Sequence, residues 1–88
     1  MKTFSFECPL AWYEMLDRLN TNGTGLVWTA HESEGEEEGI YLNARLDGER
    51  IRIVKERKHF VLELWSESLD ELAAAELQES ILGSLLSA

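Results

Sequence analysis

Apolar residues fall at every second position in the first stretch of the chain. Over residues 3–8 polar side chains separate the apolar ones, which are Phe4, Phe6 and Cys8. A period of two predicts a short strand with one buried face. Pro9 suits the first turn of a helix, and beyond it the apolar spacing becomes helical at Trp12, Leu16 and Leu19. We predict that this helix ends near residue 20, ahead of the breakers at 22–25.

The middle of the chain predicts four more strands and one tight turn. Alternation of apolar and polar residues places the strands at residues 26–31, 40–46, 49–55 and 60–65. Asp47-Gly48 has the composition of a two-residue type I′ hairpin turn. Ser68-Leu-Asp-Glu71 matches a capping box and predicts a second helix that runs to about Leu82. Gly83 is expected either to cap this helix or to interrupt it.

The hairpin turn determines which side chains share a face of the sheet. A two-residue turn places Arg45 opposite Arg50, and a four-residue loop at 56–59 places Arg50 opposite Trp65. One face is then almost wholly apolar, and its members are Ile40, Leu42, Ala44, Leu46, Ile51, Ile53, Phe60, Leu62 and Leu64. The two helices are the available cover for this face.

These elements predict an α+β fold with two layers. We expect a mostly antiparallel sheet of four to five strands, with an N-terminal helix and a C-terminal helix on one face, in the order β-α-β-β-β-β-α. Residues 1–88 are expected to form a single small domain. The pattern leaves open whether the first strand lies at the edge of the sheet or in its centre.

The opposite face carries most of the positive charge. Six of the eight Lys and Arg residues lie between residues 45 and 58, although the net charge of the chain is −9. Arg45, Arg50, Arg52 and Trp65 share this face and are a candidate site for an anion, such as a phosphate or an acidic peptide. With Tyr41, the same face could stack the bases of single-stranded nucleic acid. The plainer interpretation is a solvated face balanced by the chain's own acids, and the net charge disfavours nucleic acid.

Two cross-strand contacts are expected for the other two arginines of this face, Arg50 and Arg52. Trp65 beside Arg50 predicts a cation–π contact, and Glu63 beside Arg52 predicts a surface ion pair of small value. Both expectations follow from the register alone, because each pair lies on adjacent strands.

Acidic side chains crowd the segment between the second and third strands, at Glu32, Glu34, Glu36, Glu37 and Glu38. Their spacing does not match the ligand positions of an EF-hand loop, so a solvated loop is the plain interpretation. The functional interpretation is that this glutamate segment presents negative charge to a partner protein with a basic surface.

Catalytic and cofactor motifs are absent from the sequence. No nucleophile–base pair, phosphate-binding loop or dinucleotide fingerprint appears, and His31 and His59 lie at strand ends. The single Cys8 leaves no Cys/His zinc spacing, and it shares the face of two phenylalanines. We therefore predict that the protein is not an enzyme and that it has no cofactor and no metal site.

The C-terminal leucines leave two alternatives open. Leu82, Leu85 and Leu86 either fold back onto the core or form a self-association surface, which would give a homodimer. Neither a secretory leader nor a membrane-spanning run is recognisable, so a cytoplasmic protein with no membrane contact is expected.

The sequence predicts a non-enzymatic protein-binding module, a small acidic inhibitor or adaptor. It would contact its partner through the glutamate segment and either the exposed sheet face or the C-terminal helix. The alternative is an anion or single-stranded nucleic-acid binder that uses the basic hairpin face.

Overall fold

The computed structural model describes residues 1–22, 25–33, 39–56 and 59–86. Its elements in chain order are β1 (Lys2–Phe6), α1 (Trp12–Thr21), β2 (Thr29–Ser33), β3 (Gly39–Leu46), β4 (Glu49–Glu56), β5 (His59–Leu64) and α2 (Glu71–Leu86). The predicted order and the α+β class are confirmed.

All five strands join one antiparallel sheet. Its strand order is β1-β5-β4-β3-β2, so the first strand of the chain lies at one edge and the second at the other. β1 pairs with β5 from Lys2 opposite Leu64 to Phe6 opposite Phe60. The place of β1, which the sequence left open, is therefore the edge.

The register of the central hairpins is as predicted. Asp47 and Gly48 have φ values of 52° and 82°, and a type I′ turn requires positive φ at both central residues. Arg45 lies opposite Arg50, and the Trp65 N–H donates to the Arg50 carbonyl at 3.0 Å. The β4–β5 pairing continues to Glu56 opposite His59, so both strands extend by one residue into the predicted loop.

The predicted apolar face forms the core together with both helices. The helix residues in this core are Met15, Leu19, Ala74, Ile81 and Leu85. The Trp12 ring meets the Phe60 ring edge-on, with centroids 5.3 Å apart. Ile40 departs from the prediction because its side chain remains 39% exposed. The helical layer therefore stops short of the β2 edge.

Helix α1 starts later than predicted. Its first residue is Trp12 and not Pro9, and Ala11 before it has extended backbone with ψ 160°. Cys8 and Leu10 both pack partly against the core. Both residues belong to the connection between β1 and α1, and Pro9 between them is therefore outside the helix.

Strand β2 also starts later than predicted, at Thr29. The reason is the carboxamide of Asn20, whose Nδ2 donates to the Trp28 carbonyl at 3.0 Å. The Trp28 N–H in turn donates to Asn20 Oδ1 at 2.8 Å. Both backbone groups of Trp28 are thus occupied by a side chain and leave the strand ladder.

Helix α2 begins one turn beyond the predicted cap and runs longer. The Ala73 N–H donates to Asp70 Oδ1 at 2.7 Å, so Asp70 caps the helix. The Ser68 hydroxyl instead donates to Glu49 Oε2 at 3.3 Å. The helix continues through Gly83 to its last residue, Leu86.

The C-terminal leucines pack mainly on the core. Leu85 is fully buried, and Leu82 packs partly against the core cluster. Of the two alternatives left open by the sequence, Leu85 follows the first, in which its side chain packs on the core, so it is not available for self-association. Leu86 alone of the three is exposed, at 55%.

Candidate binding face

The surface of the sheet that faces away from the helices is here called the outer face. Its members on the three central strands are Tyr41, Asn43, Arg45, Arg50, Arg52, Val54, Val61, Glu63 and Trp65. None of them belongs to the core cluster that the helices share. The structure therefore brings together on one surface, opposite the helices, all four predicted site residues of the basic hairpin.

Two arginines lie side by side at one end of this face. Arg45 and Arg50 are direct cross-strand neighbours, and both are exposed. Arg45 Nη1 donates to the Gly48 carbonyl at 3.0 Å. Within the described part of the chain no carboxylate lies within 4.0 Å of either guanidinium. Among the described residues the two arginines therefore have no ion-pair partner.

Exposed apolar side chains flank the two arginines. Trp65 follows Arg50 on the next strand and is 45% exposed. Val27, on the other side of Arg45, is 79% exposed. Trp65, Arg50 and Arg45 follow one another across the sheet, and Val27 lines a cavity together with Arg45; these four residues are here called the arginine row.

A cavity adjoins the Arg45 end of the arginine row. Its volume is about 390 Å³, and it is open to solvent. Its lining residues are Gly25, Leu26, Val27, Thr29, Asn43, Ala44 and Arg45. Gly25 has φ +78°, a conformation that favours glycine.

Arg52 makes a different contact from the one predicted. Its guanidinium carbon lies 4.3 Å from the centre of the Tyr41 ring, a cation–π distance. Arg52 and Glu63 are cross-strand neighbours, but among the described residues no ion pair joins them. The cation–π contact predicted between Arg50 and Trp65 is likewise not among those formed by the described residues. On this face the cation–π contact is therefore made by Tyr41 and not by Trp65.

The sequence did not reveal the ring that completes this stack. His31 on β2 lies parallel to Tyr41, with centroids 5.4 Å apart and an interplanar angle of 18°. A hydrogen bond of 2.7 Å joins His31 Nε2 to the Thr29 hydroxyl. Tyr41 is therefore contacted from both neighbouring strands. Arg52 Nε is buried under these groups and has no hydrogen-bond partner among the described residues.

The predicted glutamate site lies mostly outside the described residues. Glu34, Glu36, Glu37 and Glu38 belong to that part of the chain. Glu32 is described: it lies on β2 opposite Ile40, and its side chain is exposed.

The side chains that could bind a metal or act in catalysis lie apart from one another within the described ranges. Residues 1–22, 25–33, 39–56 and 59–86 contain no group of three or more His, Cys, Asp or Glu side chains placed to hold a metal ion. His31 stacks on the outer face, whereas His59 lies at the start of β5 opposite Glu56. Cys8 is a free thiol, half-buried beside the core.

Comparison with protein-family models, curated proteins and solved structures finds no match to this chain. Neither helix within the described ranges has the length and apolar character needed to cross a membrane.

Proposed function

We propose that this protein is a non-enzymatic protein-binding module, a small acidic inhibitor or adaptor, which contacts its partner through the outer face. The observation that carries the proposal is the arginine row. Two adjacent arginines, with no carboxylate of the described residues within 4.0 Å, stand between the exposed Trp65 and the exposed Val27.

The charge arrangement of the arginine row has no benefit for stability. Like charges directly opposite each other on adjacent strands cost about 0.2–1 kcal/mol. The chain has 17 acidic residues against eight Lys and Arg, yet among the described residues no carboxylate lies within 4.0 Å of the Arg45 or Arg50 guanidinium. A feature that weakens the fold but displays charge is expected where the charge serves binding.

The side chains of the arginine row are also those that dominate binding energy in protein interfaces. Tryptophan and arginine are enriched among the residues whose truncation weakens complexes most. Trp65 offers a large apolar surface, and Arg50 offers a guanidinium that can bind a carboxylate through two hydrogen bonds. The cavity beside Arg45 can receive a small side chain of the partner.

The glutamate segment gives the same module a second, oppositely charged region. Its members Glu34, Glu36, Glu37 and Glu38 would attract a partner with a basic surface and speed the encounter. A cytoplasmic location is part of the proposal, since Cys8 is a free thiol and a reducing compartment keeps it so.

Affinity capture with a matched pair of variants tests the proposal. The tagged protein, Arg50→Gln and Lys55→Gln are used to capture material from a lysate of the source, and the bound proteins are identified by mass spectrometry. Both variants remove one positive charge from an exposed position on β4, but only Arg50 belongs to the arginine row. We expect a partner that is retained by Lys55→Gln and lost with Arg50→Gln.

Stability measurements on the same variants separate binding from folding. Arg50→Gln removes the like-charge contact with Arg45 and is expected to raise the free energy of unfolding by about 0.2–1 kcal/mol. Urea denaturation of both variants checks this. A partner lost equally with both variants, or an Arg50→Gln protein that is less stable than the parent, would contradict the proposal.

A second candidate function is binding of an anion or of single-stranded nucleic acid on the outer face. The observation in its favour is the stack of His31, Tyr41 and Arg52, because stacked rings and guanidinium groups also hold bases and phosphates. Fluorescence anisotropy with a labelled single-stranded oligonucleotide and with a phosphopeptide at low salt tests it. Binding that is lost with Arg50→Ala or Arg52→Gln supports this candidate, and no binding by the unmutated protein ends it.

A further inference from the structure

Strand β2 leaves one side of its backbone open. It is the outermost strand at its end of the sheet, and no described part of the chain pairs with its outer edge. Its residues Thr29 to Glu32 all have exposed side chains. An unpaired strand edge is a template on which another extended chain can form backbone hydrogen bonds.

The helical layer does not protect this edge. Ala30 lies opposite the buried Leu42 on the inner side of the sheet, yet Ala30 itself is exposed. Ile40, opposite Glu32, is 39% exposed on the same side. Beyond β3 the sheet thus has a small apolar ledge that a further side chain can cover.

The other edge of the sheet differs. The inner side chain Phe6 of β1 is buried in the core. The Lys2 ammonium donates to the Leu69 carbonyl, which belongs to the segment that leads into α2. At that edge the inner side chains already have partners, whereas at β2 they have none among the described residues.

Charge selects what can pair with β2. Glu32 carries a negative charge on the ledge, and four more glutamates follow it within the next six residues of the sequence. In any pairing of two copies, a chain with a net charge of −9 would approach another chain of the same charge. That repulsion disfavours a second copy, and the same charge favours a basic strand.

We infer that β2 accepts an extended basic segment of a partner protein as an additional strand of the sheet. Within that segment a Lys or Arg would lie opposite Glu32, and two residues away an aliphatic side chain would cover Ala30 and Ile40. The positions between them face the outer side, next to His31, and carry polar residues. This inference concerns the β2 edge and does not depend on the arginine row.

A designed peptide tests the pairing. The probe is a fluorescently labelled peptide of about eight residues that repeats Lys-Thr-Val-Thr, which matches the length of a typical strand. Fluorescence anisotropy measures its affinity for the parent protein, Glu32→Lys and Glu7→Lys at moderate salt. Glu7 is exposed near the opposite edge, so Glu7→Lys makes the same change in net charge far from β2. We expect affinity to fall about tenfold with Glu32→Lys and to stay unchanged with Glu7→Lys.

Backbone modification distinguishes strand pairing from simple charge attraction. Two further peptides carry N-methyl groups on alternate residues, in the two possible phases. Only one phase removes the N–H groups that face β2, so we expect one peptide to lose binding and the other to retain it. Hydrogen exchange of the amides at residues 29–33 should slow when the unmodified peptide binds.

Three outcomes would overturn the inference. Equal weakening by Glu32→Lys and Glu7→Lys would show non-specific attraction, and so would equal binding of both methylated peptides. Concentration-dependent protection of residues 29–33 without peptide would show that a second copy occupies the edge. Circular dichroism of each variant confirms that the fold is intact, and Glu32→Gln provides a milder change if Glu32→Lys unfolds the protein. Arg50→Gln should leave peptide binding unchanged, so failure here and failure of the proposed function can be told apart.

Discussion

The carboxamide of Asn20 acts as a substitute strand for Trp28. It accepts from the Trp28 N–H and donates to the Trp28 carbonyl, as a neighbouring strand would. The link joins the last turn of α1 to the start of β2 and holds the buried indole in the core. One side chain thus determines where the second strand begins.

Replacing Asn20 tests this role. Asn20→Ala removes both hydrogen bonds and leaves two backbone groups of a buried residue without partners, so it is expected to cost about 1–3 kcal/mol of unfolding free energy. Urea denaturation provides the measurement. Thr21→Ala is the matched control, since Thr21 is exposed at the end of the same helix. Similar stability of the two variants would show that the hydrogen bonds to Trp28 contribute little.

Helix α2 is capped by a residue that the sequence motif did not select. The motif Ser68-x-x-Glu71 predicts Ser68 as the cap, but Asp70 fills that position in the structure. Both residues precede the helix, and both side chains can accept a hydrogen bond. A strong cap at Asp70 also places a negative charge at the positive end of the helix dipole.

Two variants compare the predicted cap with the observed one. Asp70→Ala is expected to lower the free energy of unfolding by about 0.5–2 kcal/mol, the usual cost of a lost cap. Ser68→Ala should change it by less, because the Ser68 hydroxyl makes only surface contacts to side chains. Thermal denaturation of the two proteins measures the difference. A larger loss of unfolding free energy with Ser68→Ala than with Asp70→Ala would show that Ser68 is the N-cap of α2.

Glycines at two places in the fold have opposite requirements. An added Cβ meets no atom within 4 Å at Gly83 or at Gly48, so both positions have room for an alanine side chain. Gly83 lies within α2 with ordinary helical backbone, whereas Gly48 has φ +82° in the hairpin turn.

Alanine at these glycines should therefore act in opposite directions. Gly83→Ala is expected to stabilise the protein by about 0.5–1 kcal/mol, because alanine loses less backbone entropy in a helix. Gly48→Ala should destabilise it by about 1–2 kcal/mol, because a left-handed conformation strains an L-residue. Urea denaturation at one temperature compares both with the parent. Destabilisation by Gly83→Ala would mean that the last turn of α2 is not helical in solution.

Across the whole molecule the charges are segregated and not mixed. The basic residues gather on the β3–β4 hairpin, and the glutamate segment follows β2, which is the strand next to that hairpin. Along the sequence the two regions of opposite sign are therefore neighbours. Such an arrangement orients the partner during approach as well as attracting it.

Removing charge from the glutamate segment should slow this approach. Glu36, Glu37 and Glu38 replaced together by Gln are expected to reduce the association rate of the basic peptide about three- to tenfold and to flatten its salt dependence. Stopped-flow fluorescence at several salt concentrations measures both. The control replaces the exposed Glu67, Glu76 and Glu79, which changes net charge equally elsewhere. If both triple variants give the same association rate, the rate depends on net charge alone and not on the glutamate segment.

The sequence could predict the central sheet because the register of its strands follows from one local turn signal. Asp47-Gly48 accepts few turn types, so it sets the register of β3 and β4, and alternation then assigns every face. This placed Arg45, Arg50, Arg52 and Trp65 together correctly. It could not reveal the stack of His31 on Tyr41, because that contact depends on β2 lying beside β3, and strand order is not encoded in alternation.

The remaining errors share a physical cause, which is competition from side chains distant in sequence. Asn20 occupies both backbone hydrogen-bonding groups of Trp28, and Cys8 and Leu10 pack against the core from the connection that precedes α1. Leu85 is buried because α2 continues through Gly83. Local propensity predicts none of these outcomes, since each depends on tertiary packing.

The pairing of β1 with β5 has a consequence for how the protein is made. Lys2 and Phe6 leave the ribosome first, but their partners Leu64 and Phe60 emerge much later. Until then the phenylalanines of β1 have no sheet to join, and the nascent chain carries them exposed. Closing so long a loop is entropically costly, so the sheet gains this edge late in folding. Of the five strands, the one synthesised earliest is thus the last that can be added, and the five-stranded sheet can be completed only once Leu64 has left the ribosome.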